Sequence, residues 1–140
     1  MKENNIKESN QEDYKELIQA ALEVREKSHS PYSHFKVGAA VVTGGGKIFT
    51  GTNVENASFS ATICAERSAF VKAVSEGEKN FRAVAITSSY NEYVFPCGVC
   101  RQFMTEFAKD KDIDVILALG VDDYKVYKLS ELIPHSFTLK

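Results

Sequence analysis

The sequence predicts an α/β fold in which helices cover both faces of a mixed five-stranded sheet, as a three-layer α-β-α sandwich. Apolar residues recur at helical spacing in separate segments, and short runs rich in apolar and β-branched residues lie between them. The first two of these runs flank Gly44-Gly45-Gly46, which indicates a hairpin. A hairpin followed by alternating strands and helices favours a mixed sheet with helices on both sides.

The first helix has a start signal and a stop signal. Ser9 and Glu12 have the spacing of a capping box, and the helical pattern continues to about Lys27 before Pro31 blocks it. The polar residues before this helix predict a flexible tail over residues 1–10, and the rest of the chain, residues 11–140, predicts a single domain.

Five strands and three more helices complete the predicted order α-β-β-α-β-α-β-(β)-α. The strands are predicted over residues 35–43, 48–54, 81–88, 113–119 and, as a short fifth, 125–128. A helix over residues 63–76 ends before Gly77, and Pro96 is expected to open another that runs to about Lys109. A small helix is predicted near Ser130.

Composition and charge exclude several classes of protein. The chain has 140 residues, 44% of them hydrophobic and 26% charged, and a formal net charge of −2. Such a balance is typical of a globular domain, and without a dense basic block we expect no nucleic-acid partner. The apolar runs are too short to span a membrane, and the N-terminal residues lack the apolar stretch of a signal peptide. We therefore expect a cytoplasmic protein with no membrane partner.

All three cysteines fall into two short segments that can together form one metal site. Cys64 precedes Ala65-Glu66, and Cys97 and Cys100 form a C-x-x-C pair. Reduced thiols in the cytosol favour metal binding or catalysis over disulfides. Three thiolate ligands suit a tetrahedral zinc ion and leave a fourth position open for water, which is typical of catalytic zinc. Both segments are predicted at helix N-termini, where thiol pKa values are lowered.

The residues beside the cysteines suggest how such a zinc would act. Glu66 follows the first thiol closely enough to move protons to and from the bound water. Three thiolates give the zinc unit a net negative charge, which weakens its acidifying effect on water. Arg67 follows Cys64 by three residues and Arg101 follows Cys100 directly, and an Arg that donates to a thiolate would restore some Lewis acidity.

Polar and aromatic residues near the first two strands suggest a substrate class. Asn53 and Glu55 follow the second strand and suit hydroxyl groups better than phosphates. Phe35 precedes the first strand and could pack against a planar ring. Each also has an ordinary interpretation, since Asn53 and Glu55 could be turn residues and Phe35 a core aromatic.

The chain resembles the small zinc-dependent cytidine deaminases from about Tyr14 to Phe137. The matching segments are Ser30-Pro31-Tyr32-Ser33-His34-Phe35-Lys36-Val37-Gly38-Ala39, Gly51-Thr52-Asn53-Val54-Glu55-Asn56-Ala57-Ser58, Cys64-Ala65-Glu66-Arg67, Pro96-Cys97-Gly98-Val99-Cys100-Arg101-Gln102 and Glu131-Leu132-Ile133-Pro134-His135-Ser136-Phe137. The resemblance implies a cytidine deaminase-like fold and one zinc ion per subunit.

The resemblance also implies a reaction and its residues. Cytidine and 2′-deoxycytidine would lose their amino group as ammonia and become uridine and 2′-deoxyuridine, as in pyrimidine salvage. Hydroxide on the zinc would attack C4 while Glu66 shuttles protons. The resemblance implies that Cys64, Cys97 and Cys100 bind the zinc and that Arg67 donates a hydrogen bond to a ligand sulfur. The Ala65 N–H would bind the pyrimidine carbonyl, and Phe35 would flank the base. Asn53 and Glu55 would bind the ribose 3′-hydroxyl.

The resemblance further implies a homotetramer with shared active sites. Phe137 would reach across to stack on a neighbour's substrate. One departure concerns the subunit interface: the family usually has Tyr-Gly after Asn-Ala-Ser, whereas this chain has Phe59-Ser60. The missing hydroxyl removes a hydrogen bond that helps to tie subunits together.

Three other interpretations remain open from the sequence. A deaminase of the same fold could act on a cytosine-containing antibiotic such as blasticidin S. Cys97 and Cys100 could be a thiol redox pair, since C-x-x-C near a βαβ pattern is typical of thioredoxin-like proteins. The cysteines could also hold zinc in an interaction module without catalytic activity.

Overall fold

The helices and strands follow each other in the predicted order. The computed structural model describes the backbone of residues 2–139 and the side chains of residues 14–139. The helices are α1 (Lys2–Arg25), α2 (Ala65–Ser75), α3 (Gly98–Thr105) and α4 (Leu129–Leu132). The strands are β1 (Val37–Thr43), β2 (Ile48–Thr52), β3 (Phe81–Ser88), β4 (Asp114–Gly120) and β5 (Asp123–Lys128).

The strands form one mixed five-stranded sheet in the order β2-β1-β3-β4-β5. β1 is antiparallel to both β2 and β3, β3 is parallel to β4, and β4 is antiparallel to β5. The fully buried centre of β3 agrees with its position in the middle of the sheet. The predicted mixed sheet is confirmed.

Helices pack on both faces of the sheet, so the three-layer prediction is confirmed. On one face, Leu17, Ile18 and Ala21 of α1 pack against small and branched residues of the central strands. On the other, α2 and α3 contribute Phe70 and Met104 to a larger core. Alternation along each strand gives each face its own apolar set.

The sheet register brings three chain segments to one edge of the sheet. In the antiparallel pairs, Gly38 lies opposite Thr52 and Val37 lies opposite Ser88. The start of β1 therefore lies beside the ends of β2 and β3. The residues just outside these strands, including Phe35 and Asn53, meet there.

The start of α1 differs from the prediction. The helix begins at Lys2 rather than near Ser9, and residues 2–10 contain no proline or glycine that would stop it. Ser9 therefore lies inside α1, so the prediction that Ser9 caps the start of the helix was wrong. The side chains of Ser9 and Glu12 lie outside the described residues, and the flexibility of residues 1–10 stays a prediction.

The bounds predicted for α3 were wrong at both ends. Cys97 has extended backbone angles (φ −69°, ψ 168°) and is the residue before the first turn, so Pro96 lies outside the helix. Beyond Thr105 the N–H groups of Phe107 and Ala108 donate to carbonyls three residues back, at 3.0 and 3.1 Å. This tighter pattern ends the α-helix before Lys109.

No helix within residues 2–139 combines the length and the apolar character needed to cross a membrane.

Candidate active site

Three thiols from two helix starts meet at the sheet edge where β2 and β3 end. Cys64 and Cys97 are the residues immediately before α2 and α3, and Cys100 lies in the first turn of α3. Their Sγ atoms all lie within 4.8 Å of one another, and those of Cys64 and Cys97 are 3.7 Å apart. Among the described residues, no other group of His, Cys, Asp or Glu is arranged to hold a metal ion.

The spacing and chemistry of these thiols fit a zinc ion. Tetrahedral zinc with Zn–S bonds of about 2.3 Å separates its sulfurs by about 3.8 Å. The distance between the Cys64 and Cys97 sulfurs is close to this value, and small side-chain movements would bring all three sulfurs to it. Cys97 is exposed, so the cluster is open to solvent on one side.

Cys64 and Cys100 differ strongly in thiol pKa. Hydrogen bonding from the Cys100 thiol, with help from Arg67, lowers the pKa of Cys64 to about 5. Donation to Cys64 and burial together raise the pKa of Cys100. One thiolate is thus stabilised before metal binding, and the ion displaces the remaining protons.

Glu66 places a carboxyl group beside the thiols. It lies in the first turn of α2 and is only 5% exposed. Burial raises its pKa to about 7, and the negative charge of Cys64 acts in the same direction. Hydrogen bonds from its own backbone N–H and from Cys100 oppose the shift without reversing it. A carboxyl group that titrates near neutrality can both accept and donate a proton.

The two arginines beside the cysteines have different partners. Arg67 points a guanidinium nitrogen at the Cys64 sulfur, at 3.6 Å, and at the Thr62 carbonyl oxygen, at 3.5 Å. Arg101 instead donates to the carbonyl oxygens of Pro96 and Leu132, at 2.8 and 2.7 Å. Arg67 therefore neutralises charge on a thiolate, whereas Arg101 holds the backbone before Cys97.

Asn53 follows β2 and its side chain is buried. Its Oδ1 accepts the Val37 N–H at 2.9 Å and the Ser28 hydroxyl. Its Nδ2 donates to the Phe35 carbonyl at 2.7 Å. Asn53 thus ties the segment before β1 to the end of β2, in addition to any role towards a ligand.

Glu55 lies on the surface and is held by the turn that follows α1. Its carboxylate accepts the Tyr32 and Ser33 N–H groups, at 3.0 and 3.1 Å, and the Ser33 hydroxyl. The hydrogen bond from the Ser33 hydroxyl is the main cause that lowers the pKa of Glu55. A cavity of about 410 Å³ lies beside it, lined by Tyr32, Ser33, Glu55, Phe59 and Thr62.

The remaining predicted residues are placed differently. The Phe35 ring is half-buried and meets Tyr90 edge-on, with centroids 4.6 Å apart. Ala65 begins α2, so its N–H belongs to the first turn, where no carbonyl of the helix can accept it. The side chain of Phe137 is 69% exposed, and only its carbonyl is held, by Gln102 at 2.8 Å. Within residues 14–139, Phe137 has no ring contact or hydrogen bond with Phe35, Asn53 or Glu55.

Sequence reasoning missed two serines at this site. Ser28 and Ser33 hold the side chains of Asn53 and Glu55. Their only signal in the sequence is a turn rich in serine between α1 and β1. Such a turn does not reveal which side chains its hydroxyl groups meet.

Comparison with known families decides the identity. A model described as the cytidine and deoxycytidylate deaminase zinc-binding region matches residues 11–116. The chain belongs to this family. The predicted resemblance to the zinc-dependent cytidine deaminases is therefore confirmed, and the match includes all three thiols and Glu66.

Named relatives and a solved structure agree with this family assignment. The chain is 50% identical over 108 residues to a probable cytidine deaminase of Dictyostelium discoideum, across 76% of this chain and 71% of the relative. It is 43% identical to a cytidine deaminase of Halalkalibacterium halodurans, across 87% and 92%. The crystal structure of cytidine deaminase from Burkholderia pseudomallei superposes with a TM-score of 0.80 at 44% identity, covering 86% of this chain and 96% of that one.

Proposed function

We propose that this protein hydrolyses cytidine and 2′-deoxycytidine to uridine and 2′-deoxyuridine with release of ammonia. The observation that carries the proposal is a buried Glu66, with a pKa of about 7, beside three thiols spaced for zinc. Family membership and the named relatives support the same activity.

The thiols of Cys64, Cys97 and Cys100 would hold the metal. When bound, zinc supplies a Lewis acid that makes water nucleophilic at neutral pH. Glu66 would accept one proton from the attacking water and pass it to the ring nitrogen N3, where it stays in the product. It would then accept the proton of the new C4 hydroxyl and pass it to the amino group, which leaves as ammonia as the C4 carbonyl forms. Because Glu66 is buried, bulk solvent has little access to the carboxyl group that carries these protons.

The substrate would be oriented by groups around the thiols. The free N–H of Ala65 suits the pyrimidine carbonyl, and the Phe35 ring suits one edge of the base. Asn53 and Glu55 would bind the ribose 3′-hydroxyl, which cytidine and 2′-deoxycytidine share. Arg67 would stabilise the negative charge of the Cys64 thiolate and so reduce the charge that this sulfur gives to the zinc.

Loss of cytidine absorbance, measured with zinc content, tests the proposal. Wild type should turn over cytidine and 2′-deoxycytidine with about one zinc per chain. Glu66→Gln should keep its zinc and lose about 10²- to 10⁴-fold in turnover. Zinc-loaded wild type that turns over no cytosine nucleoside would refute the activity, and full turnover by Glu66→Gln would refute the mechanism.

The other interpretations are not better supported by the comparisons. A blasticidin S-type deaminase would prefer the antibiotic in a side-by-side assay with cytidine. A redox protein would form a reversible disulfide between Cys97 and Cys100 and contain no zinc. A zinc module without catalytic activity would bind the metal but release no ammonia.

We further propose a cytoplasmic homotetramer that acts in pyrimidine salvage. The rings of Phe59 and Phe137 are 77% and 69% exposed, and these exposed rings support an association of subunits. Burial of such large apolar side chains at an interface would stabilise the assembly. Light scattering coupled to gel filtration should give four times the mass of the chain. A monomeric mass with full activity would contradict shared active sites. No nucleic-acid partner is proposed.

A further inference from the structure

We propose that Ser28 is a positioning residue for ribose recognition, because its hydroxyl occupies the last acceptor site of Asn53 and leaves that amide able only to donate. The inference rests on the proposed contact between Asn53 and the 3′-hydroxyl. It adds that Ser28 supports the contact and that Asn53 acts in it as a hydrogen-bond donor.

The hydrogen bonds of the Asn53 amide can be counted. An amide oxygen has two acceptor sites, and an amide nitrogen has two protons. The Val37 N–H and the Ser28 hydroxyl fill both sites on Oδ1. The Phe35 carbonyl takes one proton of Nδ2, and residues 14–139 offer no acceptor for the other. One N–H is therefore the group that Asn53 has left for a ligand.

The orientation of the amide is fixed by the backbone. If the amide were flipped, Nδ2 would face the Val37 N–H, and Oδ1 would face the Phe35 carbonyl. Both contacts would then be unfavourable, donor against donor and acceptor against acceptor. The Ser28 hydroxyl adds the third restraint, since it closes the side of Oδ1 that a water molecule or a substrate hydroxyl could otherwise use.

Ser28 is itself held in place. Its N–H donates to the Arg25 carbonyl at the end of α1, at 3.1 Å, and the side chain is half-buried. The hydroxyl also lies 3.2 Å from the Asn53 carbonyl oxygen and 3.3 Å from the Ser30 hydroxyl. Its shortest contact is with Asn53 Oδ1, so we assign its proton there.

The result is a complementary pair of groups for one hydroxyl. Asn53 offers a donor, and the Glu55 carboxylate offers an acceptor. A sugar hydroxyl both accepts and donates, so it satisfies the two groups at once, whereas hydrogen at the same carbon leaves both unpaired. Ser28 maintains this polarity because it prevents Asn53 from offering an acceptor.

The test compares cytidine with 3′-deoxycytidine on wild type, Ser28→Ala and Ser28→Thr. Wild type should prefer cytidine in kcat/KM. In Ser28→Ala this preference should fall about fivefold, through a higher KM for cytidine with 3′-deoxycytidine unaffected, as one lost hydrogen bond predicts. Ser28→Thr keeps the hydroxyl and should restore the preference. Ser75→Ala, on the exposed end of α2, is the matched control.

Each outcome separates the two ideas. If wild type treats both nucleosides alike, the proposed 3′-hydroxyl contact fails, although deaminase activity stands. If wild type prefers cytidine but Ser28→Ala keeps the full preference, the role of Ser28 is refuted. An equal loss for both nucleosides in Ser28→Ala would show a structural effect only and would also refute it. Melting temperatures of all variants confirm that they are folded.

Discussion

Gly51 of β2 lies so close to α2 that a methyl group on it would stand 2.8 Å from the Ser68 carbonyl carbon. The same methyl would collide with the Ala69 amide nitrogen. Because both of these atoms belong to the backbone, no change of side-chain rotamer can relieve the clash. Glycine at this position lets α2, which follows Cys64 and carries Glu66, pack directly on the strand that leads to Asn53.

Gly51→Ala should therefore destabilise the protein, by about 1–3 kcal/mol as in other overpacked sites. We also expect weaker zinc binding, because α2 must move away from the sheet. Thermal unfolding with zinc analysis checks both effects. Gly45→Ala, where the nearest atom lies 3.9 Å from the added methyl, should change neither. Equal melting temperatures for Gly51→Ala and Gly45→Ala would contradict the close packing.

Removal of zinc should lower stability as well as activity. The three thiols lie at the starts of α2 and α3, so a bound ion would connect these two helices. A ligand present at a thousand times its Kd stabilises the folded state by about 4 kcal/mol. Melting temperatures should fall with a strong chelator and recover when zinc is added back.

A cysteine variant controls for side effects of the chelator. Cys97→Ser should bind zinc weakly, and its melting temperature should respond little to the chelator. If wild type and Cys97→Ser respond equally, the loss of stability does not come from this site.

Arg67→Ala should weaken zinc binding by about 10- to 100-fold, the usual range for residues that support metal ligands. Its guanidinium lies 3.6 Å from the Cys64 sulfur and raises the stability of that thiolate. Competition with a chromophoric chelator measures the affinity. Lys72→Ala removes an exposed positive charge from the same helix and should have no effect. Unchanged affinity in Arg67→Ala would show that the thiolates need no such partner.

Asp112 should make stability depend on pH in the acid range. Burial acts to raise its pKa, but hydrogen bonds from the Ser130 hydroxyl, the Ile113 N–H and the Ser130 N–H outweigh burial and lower it. A folded-state pKa below the unfolded value, about 3.9, gives stability that is complete above that value. This stability is lost as pH falls through the folded pKa.

Asp112→Asn should therefore melt at a lower temperature than wild type at pH 7, and the difference should shrink below about pH 4. Melting curves across this range check the sign. Asp110→Asn changes an exposed neighbouring carboxylate and should follow wild type at every pH. A difference between wild type and Asp112→Asn that grows towards low pH would contradict the assignment.

The sequence predicted the zinc cluster because its chemistry depends on residue type and on helix starts. Cysteine is scarce in this chain, and the two segments that contain it both follow strands, so the topology alone brings them together. The order of elements and the mixed sheet could also be predicted, because they depend on local sequence patterns. Hydrophobic periodicity and one glycine-rich turn determine them.

The details of the site depend on contacts that periodicity does not encode. Arg67 and Arg101 are equivalent in the sequence, since each follows a cysteine segment, and only tertiary structure directs one to a sulfur and the other to backbone carbonyls. The end of α3 was misjudged because residues beyond Thr105 still suit a helix, although their hydrogen bonds tighten into a turn. The bonds from Ser28 and Ser33 join segments that are distant in sequence.

The hairpin between β1 and β2 has a practical consequence for protein engineering. Its turn, Gly44-Gly45-Gly46, lies at the end of these strands that is remote from the thiols, because the register places Val37 and Thr52 at the opposite end. The turn is exposed and two of its glycines have room around them. A peptide tag or fluorescent label inserted there would leave the catalytic edge undisturbed, and would provide a handle for immobilising the enzyme in a defined orientation.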